Sequence, residues 1–213
     1  MKIDLYVITD ESVAGGLSHA EIALRAIAGG ADVIQLRDKA CGPRELCRIG
    51  RVIREITRKT GTLFIVNDRL DVALSCSADG IHLGQDDMRA GTARQIAPPG
   101  LIIGVSVGTL EEAIRAVQEG ADYLALSPVF STTSKNDAGP GRGLEALREI
   151  RRNTSIPVIA IGGVNPGNVN DAIAAGADGI AVISAVVGSP DITAAARDLK
   201  EMIQKSKVNM RSR

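Results

Sequence analysis

GADGIAVIS, residues 176–184, reads as a turn feeding a buried parallel strand. A small residue ends a helix, an Asp turns the chain, and apolar residues follow from Gly179 to Ile183. Three earlier tetrads echo it: GADV (30–33), SADG (77–80) and GADY (120–123), each just ahead of an apolar run. Their starts lie 47, 43 and 56 residues apart, about the length that two βα units consume, so the echo marks strands two, four, six and eight. Outward from these, β-branched runs fall at 3–8, 33–37, 63–66, 79–83, 101–105, 122–127, 157–161 and 179–183. Between them lie helix-like stretches, among them Ser18–Ala28, Pro43–Lys59, Leu110–Glu119, Leu144–Arg152 and Val169–Ala175. Eight strands joined by right-handed helical crossovers close into an α/β structure, a single (β/α)8 TIM barrel, expected over residues 1–204. An open doubly wound sheet alternates in the same way, but a fourfold echo is harder to place in it. Residues 205–213 are basic and lose apolar periodicity after Ile203, so a disordered tail is expected there.

The 213 residues carry 25 Lys and Arg against 25 Asp and Glu, so the net charge is zero and nothing draws the chain to nucleic acid or anionic membrane. Aromatic residues make up 2% and Trp is absent, which excludes a base-stacking platform. Cys41, Cys47 and Cys76 show no C-x-x-C spacing, so reduced thiols are expected rather than a zinc site. No apolar run approaches the ~18 residues of a membrane span, and Asp4 and Asp10 interrupt the first apolar stretch. A cytoplasmic protein acting on small molecules is expected, with self-association left open.

In such barrels the chemistry sits at the C-terminal strand ends. Along strand two, period-two alternation puts Gln35, Arg37 and Lys39 on the barrel side and Ile34 and Leu36 on the helix side. Two cations turned inward need anions to meet them. Strand three runs into Asn67 and Asp68, and strand four into Gln85, Asp86 and Asp87. Asp68 and Asp87 each read alone as a helix N-cap; beside Arg37 and Lys39 they read as a clamp for a diphosphate and Mg²⁺. The loops after strands seven and eight, through Gly162-Gly163 and Ile183-Ser184, suit a phosphate held by backbone N–H groups. Strand six leads into Ser131-Thr132-Thr133-Ser134-Lys135, a hydroxyl-rich loop with one Lys that fits a phosphate lid. Two anion sites on one rim imply a bisphosphorylated substrate or two phosphorylated ones. His82 faces inward and is expected to be packed and hydrogen-bonded, and His19 is expected at the surface.

Eight ordered segments carry a resemblance: YVITD (6–10), QLRDK (35–39), NDR (67–69), GIHLGQDD (80–87), GVS (104–106), SPVFSTTSK (127–135), IPVIAIGGV (156–164) and GADGIAVISA (176–185). Across nearly its whole length the chain resembles the thiamine phosphate synthases. The resemblance implies condensation of hydroxymethylpyrimidine diphosphate with thiazole phosphate, yielding thiamine phosphate and pyrophosphate, with Mg²⁺ as the metal. It implies that Gln35, Arg37, Lys39, Asn67 and Lys135 hold the pyrimidine's diphosphate, that Asp68 and Asp87 bind Mg²⁺, and that Ser106 lies beside the pyrimidine ring. Thr132, Ser134, Gly163, Ile183 and Ser184 would take the thiazole's phosphate, and Arg37, Lys39, Ser106 and Lys135 would carry the catalytic role. Two positions depart from the family's habit: Ser134 stands where Thr is frequent, and Gly108 where His is frequent. The alternatives are a thiazole tautomerase-like relative, which needs no metal clamp, and a non-catalytic binder of thiamine intermediates.

Overall fold

The computed structural model describes residues 3–131 and 141–211. Eight strands alternate with helices: β1 (Leu5–Thr9), α1 (His19–Ala28), β2 (Val33–Leu36), α2 (Pro43–Thr60), β3 (Leu63–Asn67), α3 (Leu70–Ser75), β4 (Gly80–Leu83) and α4 (Ala90–Ile96). The second half follows with β5 (Ile102–Val107), α5 (Leu110–Gln118), β6 (Tyr123–Leu126), α6 (Gly143–Asn153), β7 (Val158–Ile161), α7 (Val169–Ala174), β8 (Gly179–Val182), α8 (Ser184–Val187) and α9 (Ile192–Arg211). All neighbouring strands pair in parallel and β8 returns to β1, closing the barrel. Strand and helix positions match the sequence reading to within two residues wherever both exist.

Strand parity divides the apolar residues into two layers. Tyr6, Ile8, Val33, Ile65, Tyr123, Ile159 and Ala181 fill the barrel interior. Leu5, Val7, Ile34, Leu36, Phe64, Leu124 and Val158 face outward into the layer beneath the helices. Hence the inward parity read for β2 holds.

The tetrad echo is a ring of staples on the N-terminal face. Asp32 Oδ2 accepts from the N–H groups of Asp4 (2.8 Å) and Leu5 (2.9 Å), at the start of β1. Asp79 accepts from Phe64 N (2.8 Å), Asp122 from Ile103 N (2.7 Å) and Asp178 from Val158 N (2.9 Å). Each even-strand Asp thus satisfies an otherwise orphaned N–H near the start of the odd strand before it. Every one also meets a cation: Lys200, Arg54, Arg94 and Arg151 in turn.

The first residue of every tetrad has a left-handed backbone: Gly30 at φ 95°, Ser77 at φ 53°, Gly120 at φ 86° and Gly176 at φ 104°. Glycine adopts that region freely, whereas a Cβ makes it costly by about 1 kcal/mol. Ser77 is the repeat's one departure, so Ser77→Gly is expected to raise stability by about 0.5–1 kcal/mol. Urea unfolding at constant slope tests it, and an unchanged or lower midpoint overturns it.

Two features differ from the sequence reading. The disordered tail expected from residue 205 is instead helix through Arg211. Lys207 anchors it across the bottom of the barrel, donating to the Asp4 carboxylate and to the carbonyls of Ile3 and Asp178. Burial alone would push the Asp4 acid up, but the Lys207 and Gln204 hydrogen bonds and the charges of Lys207 and Lys200 hold it below the usual carboxylate value. His19 is not at the surface but 1% exposed. Its Nδ1 lies 2.7 Å from Thr9 Oγ1 and its Nε2 lies 3.4 Å from Asp38 Oδ2. Gly162 and Gly163 also leave room for their own neighbours: an added Cβ would sit 2.4 Å from Pro128 Cβ and 2.6 Å from Ser131 O, so both glycines admit the chain that leaves β6.

Candidate active site

A cavity of about 410 Å³ opens at the C-terminal ends of β2 to β6. Arg37 and Lys39 reach it from the end of β2, Asn67 and Asp68 from β3, Asp87 from the turn after β4, and Ser106 from β5. Six of the residues singled out in the sequence therefore line one cavity.

Local backbone geometry aims the two carboxylates at each other. Asp68 has a left-handed backbone (φ 60°), a conformation Asp tolerates better than most residues, and its N–H donates to His82 O at 2.8 Å. Asp87 is pinned from below, its Oδ2 accepting from Gly84 N at 2.7 Å. The helices that follow are capped by Arg69 and Arg89, so neither Asp is an N-cap. Burial pushes the Asp68 acid up to about 6; the hydrogen bond and negative charge of Asp87 add to the rise, and the charges of Lys39 and Arg37 oppose it. Two carboxylates forced together in this way call for a cation. Among the described residues no group of three His, Cys, Asp or Glu side chains gathers where it could hold an ion. A two-carboxylate site suits Mg²⁺, which commonly takes one or two protein carboxylates and completes its shell with water and phosphate oxygens.

Arg37 is steadied by Asp10, its Nη1 3.7 Å from Oδ2. Asp38, between the two cations, takes the N–H groups of Ala40 (2.8 Å) and Cys41 (2.9 Å), which shapes the turn that carries Lys39. Ser106 Oγ is 2.9 Å from His82 Nε2, so His82 is packed and hydrogen-bonded as expected.

Other expected residues lie elsewhere. Gln35 has the inward parity but sits below the cavity, 1% exposed, with its amide nitrogen donating to Tyr6 Oη at 2.7 Å. Gly163, Ile183 and Ser184 stand on the neighbouring part of the rim, after β7 and at the start of α8, and do not line this cavity. Thr132, Ser134 and Lys135 lie outside the described residues.

His82, Gln85, Glu112 and Arg142 also line the cavity, and sequence reasoning gave none of them a role there. Parity had turned His82 inward; Arg142 lay in a Gly-rich loop with no periodicity to mark it. Its guanidinium fills the space above Gly108, where an added Cβ would meet Nη2 at 3.0 Å and Nε at 3.1 Å. Gly108 is therefore matched by an arginine from the far side of the cavity.

Among the described residues no helix is long and apolar enough to cross a membrane. A family model described as thiamine monophosphate synthase matches residues 5–186. The chain is 67% identical over its whole length, and 99% of the relative's, to a thiamine-phosphate synthase of Methanoregula boonei. It is 59% identical to that of Methanoculleus marisnigri, covering 99% of this chain and all of the relative. The solved structure of thiamine phosphate pyrophosphorylase from Pyrococcus furiosus superposes with a TM-score of 0.89 at 45% identity, over 96% of this chain and 97% of that one.

Proposed function

The chain belongs to the thiamine monophosphate synthase family and is a transferase of thiamine biosynthesis, and from that premise we propose how its residues carry out the reaction. Its substrates are 4-amino-5-hydroxymethyl-2-methylpyrimidine diphosphate and 4-methyl-5-(2-phosphoethyl)thiazole, met in the cytoplasm. The C–O bond between the pyrimidine's methylene and the diphosphate breaks, and pyrophosphate leaves with the electron pair. The amino-substituted ring delocalises the positive charge left on the methylene carbon, and the thiazole nitrogen's lone pair forms the new C–N bond. No protein nucleophile is required.

The observation that carries this reading is the placement of the Asp68–Asp87 pair beside Arg37 and Lys39 in the cavity that also holds Ser106. Asp68 and Asp87 would hold Mg²⁺, which when bound neutralises charge on the diphosphate oxygens. Arg37 and Lys39 offset the charge that grows on the leaving oxygen, and they are positioned for it before the substrate arrives. Asn67 donates to the same group, and Lys135 joins it. Thr132 and Ser134, with backbone groups at Gly163, Ile183 and Ser184, hold the thiazole's phosphate, which keeps its nitrogen close to the methylene carbon. Ser106 lies beside the pyrimidine ring.

Pyrophosphate release from the purified protein tests the assignment. Release is expected only when both substrates and Mg²⁺ are present. Release from the pyrimidine diphosphate alone, or none with all three components, overturns it.

A further inference from the structure

Five polar side chains form an unbroken line through the barrel interior. Gln35 Nε2 is 2.7 Å from Tyr6 Oη, which is 3.0 Å from Tyr123 Oη. Tyr123 Oη is in turn 3.0 Å from His82 Nδ1, and His82 Nε2 is 2.9 Å from Ser106 Oγ. Gln35, Tyr6, Tyr123 and His82 are all 5% exposed or less, so within the barrel each donor must find its acceptor in the protein. Of the five, Ser106 and His82 line the cavity, and Gln35, Tyr6 and Tyr123 lie beneath it.

The order of donors and acceptors then follows step by step. An amide nitrogen donates and does not accept, so Tyr6 Oη accepts a hydrogen bond from Gln35. Among the described residues the other neighbour of Tyr6 Oη is Tyr123, so Tyr6 spends its own proton on Tyr123 Oη. Tyr123, having accepted from Tyr6, has His82 Nδ1 as its acceptor. That nitrogen is therefore unprotonated, and the imidazole proton sits on Nε2, donated to Ser106 Oγ. Ser106 accepts from below, and its own proton points into the cavity. Burial raises the pKa of both tyrosines, so neither phenol ionises to break the sequence.

We propose that Gln35, Tyr6, Tyr123 and His82 are positioning residues that form a one-way hydrogen-bond chain, fixing the Ser106 hydroxyl as a donor toward the substrate. The ligand atom opposite Ser106 is then an acceptor, an unprotonated ring nitrogen, and an amino or C–H group in that place is disfavoured. The identity of that ligand as a pyrimidine rests on the synthase reading; the direction of the chain does not. Such a donor identifies the ring and its orientation rather than promoting ionisation, because a ring losing electrons to its methylene becomes a poorer acceptor.

The test is the ¹⁵N spectrum of histidine-labelled protein, in which one-bond N–H coupling shows which ring nitrogen is protonated. The chain has two histidines, and His82→Gln assigns the pair. Proton on Nε2 and none on Nδ1 of His82 is expected in the ligand-free protein; proton on Nδ1 overturns the proposal whatever reaction the protein catalyses. Tyr123→Phe removes the donor to Nδ1, and the two tautomers should then mix. The same variant should raise KM for the pyrimidine diphosphate by about tenfold with a smaller change in kcat. A tautomer and KM both unmoved in folded Tyr123→Phe count against the chain. Should that variant not fold, the wild-type spectrum alone decides, and absence of pyrophosphate release with the expected tautomer would remove the pyrimidine assignment but not the chain.

Discussion

Asp68→Asn is expected to lower turnover by about 10³-fold or more while making the metal-free protein more stable. The two effects share one cause. The Asp68 acid is raised from 3.8 to about 6 first by burial and then by Asp87, so the folded state holds this proton more tightly than the unfolded chain does. For a raised acid the sign is unfavourable to the charged form: stability is highest below the unfolded value, falls as pH climbs through about 6, and stays reduced at neutral pH. Asn keeps the shape and removes the charge. After allowance for solvent screening at this half-buried site the gain is about 1 kcal/mol, or about 2–4 °C in Tm. It should appear above pH 6 and vanish near pH 4. Adding Mg²⁺ should raise the Tm of the wild type at neutral pH more than that of the variant. Near-normal turnover, or a variant less stable than wild type at pH 7.5, would remove Asp68 from the clamp.

Gly104→Ala should have the largest effect on folding. Gly104 lies on β5 inside the barrel, where an added Cβ would come within 2.0 Å of Tyr123 Cζ and 2.3 Å of its Oη. Tyr123 cannot swing aside, because it is 1% exposed and held between Tyr6 and His82. The methyl must either spread the strands or break that line of hydrogen bonds, and a loss of about 3 kcal/mol or more is expected. The backbone itself is not at fault, so relief should come from shrinking the partner. Combined with Tyr123→Val, Gly104→Ala should cost clearly less than the sum of the two single changes. Additive losses, or an alanine variant within about 1 kcal/mol of wild type, would show that the interior relaxes around the clash.

The fold was legible because its signals are local. Each tetrad brings its own left-handed turn and its own Asp, and period-two parity decides which side chains enter the barrel. The same parity brought Arg37, Lys39, Asp68 and Asp87 to one rim. Parity gives a direction but not a depth, which is why Gln35 turned out to lie beneath the cavity rather than in it. His19 looked superficial because its partners, Thr9 and Asp38, belong to two different strand ends. The continuation of α9 past Ile203 depends on Asp4 and Asp178, residues that only the closed barrel brings to Lys207. Arg142 and Gly108 complement each other across two loops, and neither says so alone.

The four staples differ in how far along the chain they reach. Within the tetrads, Asp79, Asp122 and Asp178 grip strands only 15, 19 and 20 residues upstream, and Asp32 grips residues 27 and 28 away. The cations that secure β1 come from the other end of the sequence: Lys200 is 168 residues from Asp32 and Lys207 is 203 from Asp4. During synthesis each quarter of the barrel can therefore set its own strand register as it emerges, whereas the ring is locked only once Lys200 and Lys207 have followed. Until the barrel closes, a nascent chain leaves the outer sides of β1 and of its newest strand unpaired, and that is the interval in which it is most open to pairing with a neighbour.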